Sequence, residues 1–277
     1  MPTKVRFESV EFCSVKVTDA TEWIFAHVFD GEGRSAVTEI TCRPDIGRAV
    51  ALLAEAVATL RYKDVGDESQ VSTLLRLTTA QLCANHPLAT AVSGLRTAVV
   101  DIQAQRDEVS MTQVLGGEPQ SNVRLYANIN RALLARDRTP AAFGSWAERA
   151  ARDGFTVVKC APFDEVRPPA AADHILDVAR PGLQRVAAVR AAVGPDVQVL
   201  VDCHSRFEAH TAPLVAEELA RLDVGWFEEP LQPTVDVEGL IQVAEKVSIP
   251  LAGGESGYGE DFFTDLVRRG AVEVVMP

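Results

Sequence analysis

Four short apolar stretches of this chain each run into charge: Val158-Lys159, Val201-Asp202-Cys203-His204, Phe227-Glu228-Glu229-Pro230 and Gly253-Gly254-Glu255. The steps from Asp202 to Glu228 and from Glu228 to Glu255 are nearly equal, each about one strand-plus-helix unit. Parallel strands set side by side bring such ends to one edge, so Asp202, Glu228 and Glu255 are expected to face a common centre. Three carboxylates that close raise one another's pKa unless a cation neutralises them, and oxygen-only ligands at an open site suit Mg²⁺. Any single charge at a strand end is more often simply solvated; three at the same place in successive units argue for a site. Glu229, the immediate strand neighbour of Glu228, is expected to point away from it.

The elements that must position these residues are legible as hydrophobic periods. From Asn122 onward, short apolar runs at Val123–Ala127, Thr156–Lys159, Val197–Val201, Gly225–Phe227, Ile249–Ala252 and Val272–Met276 are each followed by an amphipathic stretch. This repeated β/α pattern predicts a parallel sheet with helices outside, either an open doubly wound sheet or a (β/α) barrel with about six strands present. The first helix carries clear signals: Thr139 as cap, Pro140 in the first turn and Gly154 as stop. Before it, Arg6–Val17 and Trp23–Thr41 alternate apolar and polar residues around Asp30-Gly31, predicting an antiparallel meander. Helical periods follow at Ile46–Leu60, Val71–Cys83 and Leu88–Gln105. The turn-rich Leu115-Gly116-Gly117-Glu118-Pro119 places a boundary between an α+β domain over 1–120 and a β/α domain over 121–277.

Composition narrows the function. The 277 residues are 47% hydrophobic and 24% charged, enough apolar content for a real core. A net charge of −12 repels phosphate backbones and anionic lipids, so neither nucleic acid nor membrane is expected as a partner. An anionic substrate would need a local reversal of that field, which a bound divalent cation supplies. The five cysteines are scattered and never spaced CxxC, the pattern of reduced thiols in a cytoplasmic protein. Ala127-Asn128-Ile129-Asn130 offers no glycine-rich phosphate loop after the first β/α strand, which disfavours nucleotide binding.

Taken in order, Lys159, Asp202, Trp226-Phe227-Glu228-Glu229-Pro230 and Gly253-Gly254-Glu255 resemble the mandelate racemase and muconate lactonizing enzyme branch of the enolase superfamily. The resemblance implies a TIM-type barrel behind an α+β capping domain, and a Mg²⁺ held by Asp202, Glu228 and Glu255. It also implies a small-molecule carboxylate as substrate, removal of the proton next to that carboxylate through an enediolate, and a homo-oligomer. Lys159 is similar in position to the lysine that neutralises the substrate carboxylate. Many relatives carry Lys-x-Lys on that strand, with the second lysine as base; here Lys159-Cys160-Ala161-Pro162-Phe163 lacks it. The Asp202-Cys203-His204 pattern is similar to that of acid-sugar dehydratases, which implies His204 as the general acid that protonates a departing β-hydroxyl. The resemblance places a base on a strand after Pro277 and strands seven and eight beyond it, so the full protein is expected to continue. A racemase, epimerase or cycloisomerase on the same scaffold, or a non-catalytic metal-binding homologue, stand as alternatives to the dehydratase. Arg206 reads as an exposed loop arginine, and the Phe163–Asp173 connection as a specificity element.

Overall fold

The computed structural model describes residues 4–17, 21–43, 45–130 and 137–277. They form two compact units, Met1–Asn122 and Val123–Pro277.

In the first unit, strands β1 (Phe7–Lys16), β2 (Glu22–Asp30) and β3 (Ser35–Glu39) pair antiparallel in the order β1-β2-β3. Alternation along β2 buries Ile24, Ala26 and Val28 on one face. The β2–β3 turn closes on Asp30, whose Oδ1 accepts the backbone N–H groups of Glu32 and Arg34, while Gly33 takes the positive φ of 84° the turn needs. Helices α1 (Ile46–Leu60), α2 (Gln70–Leu74), α3 (Thr79–Cys83), α4 (His86–Asp107) and α5 (Met111–Val114) follow. The single helical period expected over Val71–Cys83 is two short helices. Arg76, at φ 58°, breaks the run, and Thr78 restarts it with a capping box closed by Gln81. Gly94 lets α4 approach the rest of its unit closely, since a Cβ there would stand 2.8 Å from Ile40 Cγ2.

The second unit is a parallel sheet of six strands: β4 (Ala127–Asn128), β5 (Val157–Cys160), β6 (Gln198–Asp202), β7 (Val224–Glu228), β8 (Leu251–Gly253) and β9 (Val274–Val275). Between them run α6 (Pro140–Arg152), α7 (Ile175–Val193), α8 (Ala212–Arg221), α9 (Val237–Ala244) and α10 (Glu260–Arg268). Strand order decides what strand count left open. Every strand pairs with its sequence neighbour and the order never reverses, whereas a doubly wound sheet turns back at a switch point. With right-handed crossovers, an unreversed order places all the helices on one face, as in an arc of a TIM-type barrel. Val158, Val199, Val201, Phe227 and Leu251 turn to that face and join Phe143, Val186, Leu219 and Leu240 of the helices in one core.

The strand expected over Val123–Ala127 is only Ala127–Asn128. It is an edge strand with β5 as its partner, and Val123 and Leu125, 75% and 67% exposed, lie outside the pairing. No described helix is long and apolar enough to cross a membrane.

Candidate active site

Parallel register fixes which side chains share a face. Lys159 pairs with Leu200, Leu200 with Trp226, Asp202 with Glu228, and Glu228 with Ala252, so Lys159, Asp202 and Glu228 emerge on the face opposite the helix core, near the carboxyl ends of β5, β6 and β7. All three are buried: Lys159 is 4%, Asp202 6% and Glu228 1% exposed. Lys159 Nζ stands 2.6 Å from Glu228 Oε1 and 3.4 Å from Asp202 Oδ2. The indole N–H of Trp226 donates to the other oxygen of Glu228 at 3.1 Å, and Lys159 Nζ lies 5.2 Å from the ring centroid of Tyr126.

Burial opposes every charge in this cluster, and the partners decide the outcome. Burial acts to lower the Lys159 pKa, but the hydrogen bond and charge of Glu228, with the charge of Asp202, outweigh it and raise the pKa, so the ammonium stays protonated. Glu228 is pushed up to about 7 by burial and by the charge of Asp202, against the pull of Lys159. Asp202 is also penalised by burial, yet its hydrogen bond to His204 and the charges of His204 and Lys159 bring it below the usual carboxylate range.

His204 sits just past β6 with its Nε2 3.3 Å from Asp202 Oδ2, and its own backbone N–H donates to Asp202 Oδ1 at 3.1 Å. The chain reaches this arrangement through two successive left-handed residues, His204 at φ 49° and Ser205 at φ 56°. Neither is glycine, so the turn carries backbone strain, held by Ser205 N–H donating to the Glu229 carbonyl at 2.8 Å. The hydrogen bond and charge of Asp202 raise the His204 pKa, with a smaller contribution from Glu255. The shift is in the direction that favours the protonated form a general acid requires.

A cavity of about 720 Å³ opens here, lined by Asn128, Asn130, Arg138, Lys159, Asp202, His204 and Glu255 among others. It gathers four of the five residues singled out from the sequence, with Glu228 directly behind Lys159. Glu255 is an exposed residue on the cavity wall, and among the described residues no three His, Cys, Asp or Glu side chains stand close enough together to hold a metal ion in this arrangement. In kind the donors fit a hard divalent cation: Asp202 and Glu228 are adjacent carboxylates that repel each other, and Glu255 adds a third on the same cavity.

The connection after β5 is tied down by Arg138, Arg185 and Arg206. Arg138 donates from Nε to Asp164 at 2.6 Å and from Nη2 to the Ala161 carbonyl at 2.6 Å. Arg185, 6% exposed, forks onto Glu165 at 2.8 and 2.7 Å and reaches the carbonyls of Pro162 and Arg138 at 2.6 Å each. Arg206, expected to be an exposed loop residue, is half-buried and donates to the carbonyls of Asp164 and Val166. A signal for Arg185 did exist: it falls on the buried stripe of α7 with Gly182, Val186 and Val189, where a charge needs partners.

The chain is 30% identical over 189 residues to the D-gluconate dehydratase of Thermoproteus tenax, covering 68% of this chain and 36% of that protein. It is 29% identical over 188 residues to the D-galactarolactone cycloisomerase of Agrobacterium fabrum, covering 68% of this chain and 46% of that one. It thus spans less than half the length of these two relatives. The fold matches the crystal structure of a member of the enolase superfamily from Salmonella Typhimurium with a TM-score of 0.83 at 22% identity, over 99% of this chain and 73% of that one. The family model described as enolase C-terminal domain-like matches residues 142–277. That stretch runs from α6 to β9 and contains Lys159, Asp202, His204, Glu228 and Glu255. Residues 142–277 are therefore similar to the enolase C-terminal domain-like family.

Proposed function

We propose that this chain carries the metal-holding and acid side of an active site that eliminates water from a sugar acid, with Asp202, Glu228 and Glu255 as ligands of Mg²⁺. The observation that carries the reading is the placement of Lys159, held cationic by its carboxylate partners, and His204, paired with Asp202, on one cavity. Bound at the three carboxylates, Mg²⁺ would supply positive charge against the substrate carboxylate, lowering the cost of the negative charge that develops as a base other than these residues takes the α-proton.

The rest is done by side chains. Lys159, buried and cationic, offers its ammonium to the substrate carboxylate and offsets the repulsion that the acidic wall exerts on it. His204 gives its proton to the β-hydroxyl as the C–O bond breaks; the hydroxyl departs as water, and the resulting enol tautomerises to a 2-keto-3-deoxy acid. Asp202 holds the imidazole in place and favours its protonated form. Asn128, Asn130 and Arg138 furnish polar groups suited to a polyhydroxylated substrate. The name of the relative from Thermoproteus tenax supports this reading.

Incubating the full-length protein with a panel of aldonates and aldarates is expected to release 2-keto-3-deoxy acids. His204→Asn is expected to cut that release by about 100-fold or more, the usual contribution of a general acid, while exchange of the α-proton with deuterated solvent continues. Full dehydration by the variant would overturn the role of His204.

A cycloisomerase is the second reading, favoured by the likeness to the Agrobacterium fabrum enzyme. It predicts turnover of a sugar-acid lactone with no loss of water.

A further inference from the structure

Glu229 follows Glu228 at the end of β7 and turns off the cavity face, as alternation requires, yet it is only 4% exposed and takes a positive φ of 40°. Strain and burial at a carboxylate both need compensation, and the compensation here connects three strand ends. Its backbone N–H donates to the Ala252 carbonyl on β8 at 2.8 Å, and its own carbonyl accepts the Ser205 N–H, in the turn that carries His204, at 2.8 Å. Its carboxylate Oε1 accepts two successive backbone N–H groups, from Gly254 at 2.9 Å and Glu255 at 3.1 Å.

Two glycines make that last contact possible. The Glu229 side chain passes against Gly253, where a Cβ would stand 3.2 Å from both Glu229 Cγ and Pro233 Cγ. Gly254 adopts φ 118°, a conformation that side chains rarely tolerate, and this turns consecutive amides toward one oxygen.

From this geometry we infer that Glu229 is a positioning residue for the metal site. It fixes where the backbone of Glu255 stands relative to Glu228 and to the His204 turn, leaving only the Glu255 side chain to adjust when the third carboxylate is drawn in. Outer partners that orient ligands commonly change metal affinity by 10–100-fold. The inference rests on the proposed assignment of Asp202, Glu228 and Glu255 as Mg²⁺ ligands.

The test is a calorimetric titration with Mg²⁺ alone of the full-length wild type, Glu229→Gln, Glu229→Ala and Gly253→Ala, with the metal-free Tm of each. Thr139→Ala, which removes the cap that accepts the Ala142 N–H at the start of α6, serves as a destabilised control remote from these strand ends. Glu229→Gln keeps an acceptor oxygen and is expected to bind within about threefold of wild type, whereas Glu229→Ala is expected to bind about 10–100-fold more weakly. Gly253→Ala, which crowds the Glu229 side chain, is expected to weaken binding several-fold. Thr139→Ala is expected to lose Tm and keep its affinity, so that stability and affinity are separated. Wild-type affinity in Glu229→Ala overturns the proposal while leaving the metal assignment standing; should that variant fail to fold, wild-type affinity in Gly253→Ala does so instead. Failure of the wild type to bind Mg²⁺ overturns the metal assignment, and the role of Glu229 with it.

Discussion

Asp30 in the N-terminal unit and Glu228 in the C-terminal unit are both 1% exposed, yet their surroundings treat them in opposite ways. Asp30 is saturated: two backbone N–H groups of its own turn reach one oxygen, and the guanidinium groups of Arg106, from α4, and Arg34 lie 3.5 and 3.9 Å from the other. Glu228 leans on the side chains of Lys159 and Trp226 and faces a second carboxylate, Asp202, whose charge helps push it up to about 7. A carboxylate satisfied by local backbone holds a turn together. One that shares its cation with a like charge makes the fold carry repulsion, and such an arrangement persists where chemistry needs it.

The contrast can be broken first at Asp30. Asp30→Ala strands two amides and removes one of the partners of the nearly buried Arg106, which keeps Glu32 and the Lys4 carbonyl, so a loss of about 3–5 kcal/mol is expected in urea denaturation, mostly from the two amides. A loss under about 1 kcal/mol would erase the distinction.

Lys159→Met is expected to cost less, on the order of 2 kcal/mol in metal-free protein, because Asp202 and Glu228 can relieve each other by sharing a proton. Added Mg²⁺ should raise the Tm of this variant by more than it raises that of wild type; an equal rise argues against a shared cation site. Glu228→Gln sharpens the point. Losing repulsion from Asp202 offsets losing the bond to Lys159, so metal-free stability should change by less than about 1 kcal/mol while Mg²⁺ binding disappears.

The smallest effect lies at the surface of the N-terminal unit. Hydrogen bonds from Arg6 and Lys4 lower the Asp64 pKa to about 2. A depressed carboxylate contributes stability above its unfolded pKa and loses it as pH falls through the folded one, here from about 4 down to about 2. Asp64→Asn should therefore show a flatter dependence of urea midpoint on pH in that window and no difference in shape above it.

What the sequence disclosed follows the same division. Lys159, Asp202 and Glu228 were legible because parallel strands repeat one unit, and repetition turns equal spacing into a shared edge. The register of β5 to β8 then put them on one face. Val123–Ala127 reads as a full strand because hydrophobic period alone does not reveal how many partners a strand has, and this one lies at an edge. Glu229 was discounted on alternation, which describes where a side chain leaves the strand and not what it reaches afterwards. Arg206 ends on backbone carbonyls, and Arg138 on one carbonyl and on Asp164 far along the chain, so neither clamp leaves a local pattern in residue types. Arg185 alone among them betrayed itself, as a charge on an apolar stripe.

Two thiols stand directly beside this charged edge, Cys160 next to Lys159 and Cys203 next to Asp202, both buried. Burial pushes the Cys160 thiol up to about 12 and raises that of Cys203 as well. Both side chains join the helix-facing core, on the other face of the sheet from Asp202 and Glu228, so neither sulfur stands among the carboxylates. Alternation thus sorts the donor atoms, with oxygen on the cavity face and sulfur in the core, where an un-ionised thiol packs as a small apolar group.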